Sequence, residues 1–321
     1  MEKKLRVNNI HQYAKENSMG LFFVGLILIS AIFVPRFIEP TNLINVMMQI
    51  AINALLATGM TFVILSDGID LSVGSVAALS GIVATVTIKF FPNAGILLSV
   101  LVILATAVVV GGVCGGITAY NIAKFKVPPF IATLAMMSIA RGFAFVYTES
   151  KPVFGLPDKF SWVGIGYIGP VPVMVLVMVI VLMAAYIILT RTCFGRYIYA
   201  VGSNAEVAKL SGINIVKIRF SVYMICSFLA ALGGAALASR LQAGQPNAAQ
   251  GYELNAIAAV AMGGTSMAGG RGGIVQTALG LIIIGVINNA LSLLGVSSYW
   301  QTIAMGVIIL VAVIFDQCKN D

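Results

Sequence analysis

Charge is what this chain has least of. Asp, Glu, Lys and Arg together make up 9% of its 321 residues, where soluble domains carry about a quarter, and this excludes a sizeable soluble domain. Histidine occurs once, as His11 in a polar leader with no acid or cysteine constellation beside it, so Ser-His-Asp and Cys-His catalysis have no residues to run on. The four cysteines, Cys114, Cys193, Cys226 and Cys318, show neither CxxC nor Cys/His ligand spacing. They read as small apolar packers rather than as a disulfide framework or a metal centre. No Walker-type phosphate loop and no HExxH motif occurs either. The glycine-rich GGTSMAGGRGG at 263–273 joins two apolar runs instead of following a strand, which makes it a tight turn between helix ends and not a nucleotide site.

What the chain does have is apolar length. Hydrophobic residues account for 60% of it, and a helix needs about 20 such residues to cross roughly 30 Å of hydrocarbon. Runs fall near 20–37, 43–66, 71–90, 95–120, 129–148, 171–190, 218–239, 252–268, 273–292 and 299–316. The expected fold class is therefore all-α, a polytopic bundle of about ten spans over residues 20–317. A leader at 1–19 precedes it and a short tail at 318–321 follows. The first run is followed by PRFIEPTN rather than by a small-residue cleavage site, so it reads as a span and not a signal peptide. With the N-terminus inside, thirteen of the nineteen Lys and Arg residues fall on the cytoplasmic side and five outside, with Arg141 left within a span. This asymmetry predicts that both termini are cytoplasmic. The net charge of +8 then reports orientation, and no nucleic-acid partner is expected.

Two connections are long. The outer one, at 149–170, is rich in Gly, Pro and aromatics, with Trp162 and Tyr167 suited to an interface; it is either a plain loop or a docking surface. The inner one, at 191–219, contains a short helix predicted from Ala205 to Leu210. Asn204 caps it, Glu206 and Lys209 match its dipole, and Gly212 supplies a left-handed stop. The result is a compact rigid knob outside the bilayer.

At this loop the sequence FGRYIYAVGSNAEVAKLSGI resembles the coupling loop of bacterial monosaccharide permeases of the ABC importer family. Further matches are GMTFVILSDGIDLSVGS, PPFIATLAMMSIARG, QPNAAQGYELNAIAAVAMGGTSMAGGRG and NNALSLLGVSSYWQ, so the resemblance runs from about residue 35 to 316. It implies a ten-span permease similar to the vitamin-importer type, working as a homodimer in the bacterial inner membrane. A cytoplasmic ATP-binding subunit would dock on the coupling helix, and a periplasmic sugar-binding protein would deliver the substrate, with ribose the first expectation. ATP and Mg would belong to the partner, leaving no cofactor in this chain. By the same resemblance Asn204, Glu206, Ala208, Lys209, Leu210 and Gly212 belong to the ATPase contact.

Polar residues at membrane depth are costly and default to functional candidates. Gln49, Asn53, Asn255, Asn288, Asn289 and Gln301 suit hydrogen bonding to sugar hydroxyls or gluing helices together. Arg141 can meet an acid, line the pore or snorkel outward, and Glu253 reads as an interfacial end charge. In SDGIDLSVGS, at 66–75, Gly68 is expected to take the left-handed cap of span two and Asp70 to cap span three at Leu71. Asp67, at a helix C-terminus that disfavours its charge, is left to face a partner or the inner mouth of the pore. Both acids are thus candidates for the translocation path. The pattern NAxxAxxM recurs at 53–60 and 255–262, each time before a glycine-rich turn. GGVCGG at 111–116 and LGGAALAS at 232–239 predict close helix packing. A secondary transporter would need a buried proton relay, and a membrane enzyme a nucleophile with its base; neither is apparent.

Overall fold

A computed structural model describes residues 18–320; His11 and the rest of the leader to residue 17 lie outside the described residues. The chain forms α1 (Ser18–Phe33), α2 (Pro40–Leu65), α3 (Val73–Lys89), α4 (Ile96–Lys124) and α5 (Pro129–Thr148). After the 149–170 connection come α7 (Val173–Arg191), α8 (Cys193–Ser203), α9 (Ala205–Leu210) and α10 (Ile215–Leu241). The chain ends with α11 (Tyr252–Met262), α12 (Ile274–Leu293) and α13 (Ser298–Asn320). The 149–170 connection carries a 3-10 turn at Asp158–Ser161, the single-turn α6 (Trp162–Ile165) and an antiparallel pair, β1 (Tyr167–Ile168) with β2 (Val171–Pro172).

Each of the ten expected apolar runs contains a helix. Among the described residues α2, α4, α5, α7, α10 and α12 are long and apolar enough to cross a membrane. The run at 252–268 is cut short. Its helix ends at Met262 and spans 11 residues, about 16 Å at 1.5 Å per residue, because Gly264 turns left-handed at φ 93° and starts an irregular segment.

Helix α10 is the hub. Glycines bring α2, α3 and α4 against it at backbone distance: a methyl on Gly59 would meet the Cys226 backbone at 2.8 Å, and one on Gly111 the Phe228 backbone at 2.7 Å. A methyl on Gly234 of α10 would overlap the Ala77 backbone of α3. The expected small-residue packing at 111–116 and 232–239 is therefore present. Ser80 donates to the Ala231 carbonyl at 2.7 Å across the same α3–α10 contact. Helices α5 and α7 present mostly exposed apolar side chains, such as Phe143 and Ile180, as lipid-facing spans do.

Candidate functional site

Two sets of residues stand out, one at the bundle end that bears α8 and α9, the other along polar faces within the bundle. The first begins where Thr192 caps α8, its hydroxyl accepting from the Gly195 N–H at 3.1 Å. Helix α9 forms as its cap residues dictate. The Asn204 side chain accepts from the Val207 N–H at 3.0 Å. Gly212 stops the helix at φ 81°, and the Gly212 and Ile213 N–H groups return to Lys209 and Ala208, each at 3.0 Å. Asn214 then caps α10 through the Lys217 N–H.

On α9, Glu206, Lys209 and Leu210 are exposed, as a contact surface requires, but Ala208 is buried and anchors the helix to the body. Val207, which was not among the expected contacts, is 57% exposed beside Leu210 at 88%. Its signal was present in the sequence as an apolar residue three positions before another on a short polar helix. Beside α9 a cavity of about 480 Å³ opens against the α4–α5 turn, with Lys126, Lys209 and Arg219 facing a single acid, Glu206.

The base of this knob is locked into the bundle. The Tyr199 hydroxyl on α8 donates to the Gly272 carbonyl at 2.8 Å. The Gly270 N–H donates to the Leu65 carbonyl, at the end of α2, at 3.1 Å. Gly202 lies so close to that carbonyl that a methyl group there would overlap it. The turns after α2 and after α11, which follow the two NAxxAxxM stretches, therefore touch each other and the helix that leads into α9. Tyr199 and Gly202 could not be singled out beforehand, because nothing local marks a contact with residues 65 and 270–272.

The 66–72 turn differs from expectation in its details. The left-handed residue is Asp67, at φ 62°, and not Gly68; the Gly68 N–H nonetheless returns to the Val63 carbonyl at 3.1 Å. Gly68 is needed because the Tyr223 hydroxyl occupies the place of a side chain. Asp67 is exposed; partial burial pushes its carboxyl up from the ordinary range, and Arg219 opposes that. Asp70 is fully buried and lines no surface of the protomer. Its Oδ1 accepts from the Ser72 N–H at 2.9 Å and from the Ser72 hydroxyl at 2.6 Å, one residue before α3 begins, rather than capping at Leu71.

Of the polar candidates on spans, Asn289 is helix glue: it exchanges two amide hydrogen bonds with Asn42, at 3.0 and 2.8 Å. Gln301 ties α13 to Ser292 and Val296. Gln49 is exposed, and Asn53 is half-buried, its buried Oδ1 without a hydrogen-bond partner among the described residues. Together with exposed Asn45 they recur every four residues, forming one amide face on α2. Asn255 on α11 and Asn288 on α12 are half-buried.

A family model for the permease component of branched-chain amino acid transport systems matches residues 42–313. The chain belongs to this permease family. It is 48% identical over 299 residues to the ribose import permease protein RbsC of Escherichia coli K12, covering 92% of this chain and 91% of that one. It is 45% identical over 308 residues to the protein of the same name from Bacillus subtilis strain 168, covering 94% and 92%. The L-arabinose transport system permease protein AraH of E. coli K12 is 35% identical over 306 residues, covering 94% and 90%. No solved structure matches the chain. The protein is thus a helical, multi-pass membrane permease.

Proposed function

We propose that this permease forms the translocation path of an ATP-driven bacterial sugar importer, with ribose as the first candidate substrate. The observation that carries it is the knob at α9, which exposes Val207 and Leu210 on a helix outside the spans and is locked by α8 onto the turns after α2 and α11. Apolar side chains on such a helix call for a partner. The likeness to ribose import permeases supports a separate ATPase as that partner, and in this reading ATP and Mg belong to it rather than to this chain. The cationic cavity beside α9 extends the docking surface. In this assignment the α8–α9 end is cytoplasmic, as are both termini, and the opposite end receives sugar from an external binding protein. The membrane is the bacterial inner membrane. A second copy completes the pore, with the Asn45–Gln49–Asn53 face turned toward the shared path, since exposed amides in a span need water or another subunit.

Sugar uptake into vesicles containing this subunit, with the ATPase and candidate binding proteins added one at a time, tests the proposal. Uptake that requires both partners is expected. Sugar equilibration without the ATPase would instead mark a facilitator.

A further inference from the structure

Between α10 and α11 the chain does not cross the outer surface but returns into the bundle. Gly244 pairs with Val153 of the 149–170 loop through two backbone hydrogen bonds, at 2.8 and 2.9 Å, and packs against Thr85 near the outer end of α3. Five residues later the Ala249 carbonyl lies against Gly74, where a methyl group would meet it at 2.6 Å and would overlap the Glu253 carboxylate. Gly74 is one residue into α3, 15 residues from its outer end at Lys89, or about 22 Å of helix. Arg141 holds the descent from the side. Its guanidinium donates to the Pro246 and Ala248 carbonyls, each at 2.8 Å, from a position seven residues below the outer end of α5. Glu253 accepts from the Gly251 N–H at 3.2 Å and attracts Arg141 across the loop. Glu253 therefore sits beside Gly74 rather than at the end of the bundle where α3 reaches Lys89, and among the described residues Arg141 donates to backbone carbonyls and forms no close ion pair.

Non-helical backbone at membrane depth is tolerated only inside protein or along a water-filled cavity. The buried half of this segment, Ala243, Gly244, Pro246 and Ala249, meets the first condition, whereas Asn247 and Gln250 are exposed and Gln245 partly so. These three amides carry no charge and offer both donors and acceptors. We propose that residues 245–250 form a wall of the aqueous path at which a neutral polyhydroxylated solute exchanges hydrogen bonds with Asn247 and Gln250, and that Arg141 is the positioning residue that holds this wall. This rests on the assignment of the chain as a sugar permease.

The test has two arms. In protein with Cys193 and Cys318 replaced by Ser, the Asn247→Cys and Gln250→Cys variants are treated with a membrane-impermeant maleimide and compared with Ile180→Cys, on the apolar lipid face of α7. In vesicles with ATPase and binding protein, the ratio of ribose uptake to 2-deoxyribose uptake is compared between wild type, Asn247→Ala, Gln250→Ala and Arg141→Gln. Labelling at 247 and 250 much faster than at 180 is expected. So is a change in the sugar ratio of about 5-fold, the scale of one neutral hydrogen bond, with ATPase association unchanged in all three variants. A loss of packing alone would lower uptake of both sugars together and leave the ratio where it was. Labelling no faster than at 180, or an unchanged ratio in every variant, overturns the proposal. If wild-type vesicles import no sugar the permease assignment fails, and the labelling arm still decides whether the segment is wet.

Discussion

Gly111 and Gly112 are chain neighbours with opposite surroundings. A methyl on Gly111 would press on the Phe228 backbone of α10, while nothing among the described residues lies within 4 Å of one on Gly112. Gly111→Ala should therefore destabilise by about 1–3 kcal/mol through overpacking. Gly112→Ala should be neutral or stabilising by up to about 1 kcal/mol from helix propensity. Thermal unfolding of the two variants in detergent measures the contrast, and equal midpoints would contradict the close α4–α10 contact. Asp70 behaves as a buried acceptor. Asp70→Ala strands the Ser72 N–H and hydroxyl and should cost about 1–3 kcal/mol, while Asp70→Asn keeps an oxygen in place and should cost less; the yield of inserted, folded protein reports both. Such distinctions were only partly legible in the sequence. GGVCGG announces close packing, but which glycine faces α10 depends on the rotation of α4, and no residue within the motif sets that.

At the scale of elements, α9 was legible almost to the residue because its instructions are local. Asn204, Glu206, Lys209 and Gly212 all lie within one short stretch and all act on the backbone beside them. What α9 contacts was less legible, as buried Ala208 and exposed Val207 show. Leu210→Asp should abolish or sharply weaken co-purification of the ATPase while leaving helical content and folded yield unchanged. Normal co-purification would place the docking surface elsewhere. Tyr199→Phe tests the lock behind the knob. It removes the hydrogen bond to the Gly272 carbonyl, worth about 1 kcal/mol, and should lower sugar imported per ATP hydrolysed without loss of ATPase binding. An unaltered ratio would mean that α8 only packs. The run at 252–268 overshoots its own stop signal. The glycine-rich stretch from Gly263, which reads as a tight turn, does end the helix at Met262, and the segment then turns to meet Leu65 and α8.

For the whole molecule the proposed unit is two copies of the chain. The amide face Asn45, Gln49 and Asn53 on α2 is exposed or half-buried in the protomer, and an unpaired amide facing lipid is unfavourable. If two copies close a path along this face, Gln49→Cys in a background without Cys193 and Cys318 should give a covalent dimer with a short bifunctional thiol reagent. Ile180→Cys on the lipid face should not. A ladder of equal intensity for both would indicate random encounter in the membrane. The paired turns after α2 and α11, held together by the Gly270–Leu65 bond and by Gly202, give such an assembly a rigid route from α9 into the bundle.

By itself the sequence determined the class of the protein, a helical chain of many apolar runs. Run length and scarcity of charge are properties of consecutive residues, and the bilayer acts on them directly. Local cap chemistry determined α9 in the same way. Only the tertiary structure decided that Asp70 is a buried acceptor, that Tyr199 and Gly202 lock α8 to two distant turns, and that Arg141 and Glu253 stabilise a segment returning into the bundle. The bonds to Asp70 come from Ser72 two residues on, but its burial, the α8 lock and the Arg141 contacts depend on residues tens to hundreds of positions apart. Glycine faces that let α10 draw α2, α3 and α4 to backbone contact help set that burial.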